Sequence, residues 1–110
     1  MKVGARKHLL LTKETERRLP PLYSQDNTDD PMVYAKFFSP FSNWRWYATE
    51  YDPAKRLFFG YVKGFDNELG YFSLDELENA SAMNGRLPLV ERDKWFDPCR
   101  LSEIKSGAKY

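Results

Sequence analysis

Phe37-Phe38-Ser39-Pro40-Phe41-Ser42-Asn43-Trp44-Arg45-Trp46-Tyr47 is the densest part of an aromatic band. The band runs from Tyr34 to Phe72 and holds fourteen of the chain's 18 Phe, Tyr and Trp residues. Aromatic side chains fit pleated, half-buried surfaces and bury large areas, so the band marks where a sheet lies. Turn residues cut it into four runs. Met32–Phe38 reads as a first strand, broken by Pro40 and the Ser42-Asn43 pair. Trp44–Tyr51 reads as a second, followed by Asp52-Pro53-Ala54-Lys55, which suits a type I turn with proline at its second position. Arg56–Lys63 is a third, Gly64-Phe65-Asp66-Asn67 turns the chain again, and Leu69–Phe72 is a fourth. Three short links in a row imply an antiparallel meander.

Side chains alternate across a strand, which assigns faces. On the second strand Trp44, Trp46 and Ala48 share one face, and Arg45, Tyr47, Thr49 and Tyr51 the other. On the third, Leu57, Phe59 and Tyr61 oppose Phe58, Gly60 and Val62. Both faces of that strand are apolar, so it reads as central and covered on both sides. Phe59 is expected to fill a buried site whose emptying is severe.

Around the band the helix signals are short. Thr12 reads as an N-cap, with Glu14 and Glu16 at the positive end of a helix from about Lys13 to Leu19 and Arg17 and Arg18 at its negative end. Pro20 and Pro21 stop it. So short a helix must dock through leucines such as Leu10, Leu11, Leu19 and Leu22. Ser24–Pro31 is a polar loop. Ser73-Leu74-Asp75-Glu76 is a capping-box sequence that opens a second helix, about Leu74 to Met83, ended by Asn84-Gly85. Leu87-Pro88-Leu89-Val90 reads as a short edge strand. Trp95 and Phe96 lie in an irregular segment and are expected to plug the core, and Ser102–Lys105 reads as a last helical turn. The expectation is therefore an α+β fold: one domain over 9–105, an antiparallel meander of about four to five strands and two short helices. A flexible basic segment, 1–8, precedes it and a tail, 106–110, follows.

The 110 residues carry 17 Lys and Arg against 16 Asp and Glu, a net charge of +1. That balance excludes nucleic-acid binding by bulk charge and equally an acidic mimic of DNA. Cys99 stands alone, which rules out an intramolecular disulfide and suits a reducing cytoplasm. No apolar run approaches a membrane span, and Leu9-Leu10-Leu11 is too short for a signal-peptide core. The reading is a cytoplasmic protein with no membrane segment.

Groups for catalysis are sparse. His8 is the only histidine and has no partners at ligand spacing. Cys99 lacks a histidine base and reads as a packed thiol. Asp75, Glu76 and Glu78 are explained by the helix start they occupy. No catalytic, metal or cofactor residue is assigned, and the chain reads as a non-enzyme. Lys36, Arg45, Arg56 and Lys63 interleave with aromatics on adjacent strands, a pattern that serves single-stranded nucleic acid where bases stack and cations follow phosphates. The same pattern arises from an aromatic core with a solvated cationic rim. With Asn43, Trp44 and Trp46, these four are the partner-binding candidates.

Several strings taken together resemble a known family: Leu10-Leu11-Thr12-Lys13 with Arg18-Leu19-Pro20, Phe37-Phe38-Ser39-Pro40 with Ser42-Asn43-Trp44, Phe58-Phe59-Gly60-Tyr61-Val62, Glu68 through Leu77, and Glu91-Arg92-Asp93 with Phe96. The chain is similar to domain-of-unknown-function family 2958, from Leu9 to about Ile104. The resemblance implies a setting, small bacterial proteins carried by conjugative plasmids, integrative elements and phages near anti-defence genes. It brings no catalytic residues. Three functions are then expected in order. The first is a non-catalytic binding protein of a mobile element that inhibits a host protein such as a CRISPR effector. The second is a single-stranded nucleic-acid module for plasmid transfer or replication. The third is a small metal-assisted enzyme, which requires Asp66, Glu68 and Glu91 to converge.

Overall fold

The computed structural model describes residues 9–83 and 87–109. The N-terminal segment with His8, the Asn84-Gly85 helix stop and Tyr110 lie outside the described residues. Thr12 caps the first helix, α1 (Lys13–Arg18), its hydroxyl accepting from the Thr15 N–H at 3.2 Å. No residue of α1 itself is buried. The helix docks through the leucines beside it, Leu10 and Leu19, which enter the core.

The chain then forms β1 (Met32–Val33), β2 (Ala35–Phe38), β3 (Arg45–Asp52), β4 (Leu57–Lys63), β5 (Asn67–Ser73), α2 (Leu74–Asn79), β6 (Ser81–Ala82), β7 (Leu87–Pro88), β8 (Glu91–Arg92), β9 (Cys99–Arg100) and α3 (Leu101–Lys105). The main sheet is antiparallel in the order β5-β4-β3-β2-β8. With three short helices around it, this is an α+β domain whose meander is the one the aromatic runs predict.

Three expectations need correction, each through a pairing that local sequence does not carry. The first run splits at Tyr34, because Met32–Val33 pairs with Cys99–Arg100 while Ala35–Phe38 pairs with β3. The added edge strand is Glu91–Arg92. Leu87–Pro88 instead pairs with Ser81–Ala82 in a separate two-stranded ribbon. That ribbon ends α2 early: Ala80 turns extended, and its carbonyl accepts from Leu89. β4 is interior as expected, flanked by β3 and β5 and packed on both faces, with β3 the middle strand of the five.

A β-bulge in β3 moves a side chain between faces. The register with β4 shifts between Ala48 and Glu50. An extra residue inverts every later side chain, so Tyr51 joins Ala48 in one cluster while Tyr47 lies in the other. Simple alternation had put Tyr51 beside Tyr47. The bulge also buries Glu50, whose carboxylate accepts from the Tyr23 and Gln25 N–H groups at 2.8 and 2.7 Å. The Gln25 amide in turn bonds the backbone of Met32 and Thr49. The polar loop before β1 is thus fastened to the bulge by a buried acid satisfied entirely by hydrogen bonds.

Two apolar clusters sandwich the sheet. One holds Leu10, Phe37, Ala48, Tyr51, Phe58, Phe72, Leu74 and Leu77. The other holds Val33, Tyr47, Tyr61, Cys99, Leu101 and Ile104, with Phe96 against it. Phe58 is fully buried, with Phe37, Tyr51 and Phe72 ring centroids at 5.3, 4.6 and 5.1 Å. Phe59, expected to be the deep one, is half-buried edge-on to the exposed Tyr71 at 5.0 Å. The second cluster sits over β3 and stops short of it. Trp95 does not plug the core; it is 87% exposed, and only Phe96 turns inward.

Candidate functional site

The β2–β3 loop and the β4–β5 turn emerge at the same end of the sheet, beyond the row Phe38–Arg45–Lys63–Asn67. This end carries an aromatic tip. The Trp44 indole lies between Trp46 at 5.8 Å and Phe65 at 5.3 Å, the latter edge-on. It rests on Gly64, where a Cβ would stand 2.4 Å from the indole ring. Glycine is needed here for close approach. Phe65 is 94% exposed and Phe41, on the neighbouring loop, 60%.

The loop that presents these rings is fixed by hydrogen bonds. Ser39 N–H donates to the Trp44 carbonyl at 3.1 Å, closing it. The Ser39 and Ser42 hydroxyls accept from the N–H groups of Phe41 and Trp44, both at 3.2 Å. Arg45 Nη1 donates to the carbonyls of Ser39, Ser42 and Trp44, and its guanidinium lies 5.6 Å from the Phe38 ring centroid. An aromatic held this way loses little freedom when a partner covers it.

Below the tip, on the face of the first cluster, a cleft of about 390 Å³ opens between the sheet and α2. Trp44, Trp46 and Phe72 form one wall, Leu77, Ala80, Leu89 and Val90 the other, and Glu76 stands with Ser39, Ser42 and Ser73 among the lining. Glu76 is at the third position of α2, where its N–H donates to the capping Ser73 hydroxyl at 3.2 Å.

The partner-binding candidates divide. Trp44 and Trp46 come together in the tip and cleft, and Asn43 is exposed on the loop beside them. Arg45 serves the loop. Lys36 is buried, with its ammonium 3.3 Å from Asp93 and 5.8 Å from the Tyr47 ring centroid. Arg56 pairs with Asp75 and Glu78 and ties the β3–β4 turn to α2. Lys63 is half-buried, directly across from Arg45. The sheet therefore does not offer the four cations as one surface. Tyr47 and Tyr61, the aromatics between them, are buried and closed to a stacking base.

Asp66 and Glu68 belong to the β4–β5 turn and β5, while Glu91 lies on β8. β5 and β8 are opposite edges, four strand spacings or roughly 19 Å apart, so the acids do not converge. No group of acidic, histidine or cysteine side chains among the described residues could hold a metal ion. Cys99 is buried in the second cluster, and burial pushes its thiol up, away from the reactive thiolate.

Phe41 and Phe65 were not singled out from the sequence, and Glu76 was read only as part of a helix start. A signal was present for the two phenylalanines. Phe41 follows Pro40 and Phe65 follows Gly64, so both are large apolar side chains placed in turns, where a core cannot use them.

The fold defines a small α+β domain on an antiparallel sheet, with a rigid aromatic cluster at one end. Residues 5–109 match the sequence model of a family described as protein of unknown function (DUF2958), and the chain belongs to that family. Comparison with curated proteins and with solved structures found no match.

Proposed function

We propose that this chain is a non-catalytic binding protein that engages a protein partner through the aromatic tip. The observation that carries the reading is the exposure of Phe65 and Phe41 at one end of the sheet, Phe41 on the loop that Arg45 fastens and Phe65 edge-on to Trp44. Aromatic side chains that are exposed, clustered and preorganised are what interface hot spots are made of. The setting suggested by the family resemblance makes the partner a host or element protein, and the activity inhibition of a defence nuclease such as a CRISPR effector. The nucleic-acid alternative draws less support, because Lys36 and Arg56 are paired within the chain. No described helix is long and apolar enough to cross a membrane.

The test is capture from a nuclease-treated lysate of a host with defence systems, using wild type beside a Phe41→Ala, Phe65→Ala double variant. The same protein band should be retained by wild type and lost by the variant, whose stability changes by less than about 1 kcal/mol because both side chains are exposed. Equal capture by both forms overturns the tip as the docking surface. Loss of the captured material on nuclease digestion, with oligonucleotide binding that weakens steeply in salt, moves the function to nucleic acid.

A further inference from the structure

The cleft under the tip has a chemistry of its own. Two indoles meet in it, their centroids 5.8 Å apart and their planes inclined by 31°. Among the described residues, the only charged side chain in its lining is the Glu76 carboxylate, with three serines nearby and no cation. Glu76 forms no ion pair among the described residues. Its neighbours on α2 differ: Asp75 and Glu78 are both neutralised by Arg56. Indole faces attract cations, and a carboxylate beside them sets the sign of the guest.

We infer that this cleft receives an arginine side chain projecting from the protein partner. A guanidinium is planar, stacks on indole, and has N–H groups in a fork that matches a carboxylate, while its methylene stem covers apolar walls. The rim supplies each element: Trp44 and Trp46 for stacking, Leu77 and Phe72 for the stem, Glu76 and Ser73 for the N–H groups. The inference rests on the reading of the chain as a protein-binding module, and it states what the partner must present. That requirement is a basic residue next to an apolar patch that meets Phe65.

The test uses N-acetyl-arginine methylamide as probe and its citrulline counterpart, which has the same shape without the charge. Binding is read from the indole N–H resonances of Trp44 and Trp46 in a low-salt titration. Arginine should shift both and bind roughly fivefold more tightly than citrulline, the size expected of a partly exposed cation site. Glu76→Gln should erase that preference without lowering the melting temperature, since the cap uses the backbone N–H of residue 76. Equal binding of the two probes, an unchanged preference in Glu76→Gln, or no shift of either indole overturns the inference. Its failure is separable from failure of the tip. A partner whose capture needs Phe65 but not Glu76 leaves the tip standing and removes the arginine. Arginine binding at the indoles, with capture indifferent to Phe65, supports the cleft and removes the tip.

Discussion

Phe58 and Phe59 are identical side chains in adjacent positions of β4, and the structure separates them by burial. Phe58 is fully enclosed by three other rings, whereas Phe59 meets Tyr71 at an open margin of the sheet. A large-to-small change costs the lost transfer energy plus the cavity that cannot collapse, and only Phe58 leaves a closed cavity. Phe58→Ala should therefore destabilise by about 3–5 kcal/mol. Phe59→Ala should cost roughly 1–2 kcal/mol, since little more than area is lost. Denaturant midpoints of the two variants against wild type check the order, and a larger loss for Phe59→Ala would contradict the placement of the second cluster. Alternation tells which face a residue takes but not how deep that face lies. The helix that covers Tyr47 and Tyr61 comes from the far end of the chain, so nothing near Phe59 could show that the cover stops before it.

At the scale of elements, α3 depends on a residue from the other end of the domain. Asp30 lies just before β1, and its carboxylate accepts from the Ser102 hydroxyl at 2.6 Å and the Ser102 N–H at 2.8 Å. These bonds, the hydroxyl's first, hold the Asp30 carboxyl below its ordinary value of 3.8, with Arg100 and Lys105 adding attraction. A depressed folded pKa means stability that is present above the unfolded value and lost as pH falls through the folded one. The melting-temperature gap between wild type and Asp30→Asn should thus stay constant from neutral pH down to about 4 and then close as the acid protonates. A gap that persists unchanged through the acid range would mean that the carboxylate charge does not matter to α3. The same contrast between local and distant signals explains what could be read from the chain. Strands β2 to β5 and the caps Thr12 and Ser73 were legible because alternation, turn residues and capping oxygens act within a few residues. The pairings of β1 with β9 and β8 with β2, the bulge at Thr49 and the capping of α3 by Asp30 were not, because their causes are distant partners. Of the partner-binding candidates, Trp44, Trp46 and Asn43, drawn from the aromatic run, lie together at one end of the sheet. Lys36 and Arg56 looked available only because Asp93, Asp75 and Glu78 are remote in sequence.

For the whole molecule, the question is whether two apolar clusters make two folding units. They are separated by the sheet, yet the sheet belongs to both. β3 gives Ala48 and Tyr51 to one and Tyr47 to the other, and β4 gives Phe58 to one and Tyr61 to the other. Neither cluster can lose its packing while the strands keep an apolar face covered. The second cluster also has no element able to stand alone, since α3 is five residues long and β9 is two, far below the length of an independent helix or hairpin. The pairing of Val33 with Cys99 then closes more than half of the chain into one loop. Unfolding should be a single transition. Ile104 and the cluster tryptophans provide the test, because Ile104 is buried in the second cluster while Trp46 packs on the first. Ile104→Ala, worth about 2–5 kcal/mol, should move the tryptophan-fluorescence and far-ultraviolet dichroism midpoints together and by the same amount. If the fluorescence transition held its wild-type position while part of the dichroism moved, the C-terminal cluster would be a separate unit, and the strands would have to be stable with one face bare.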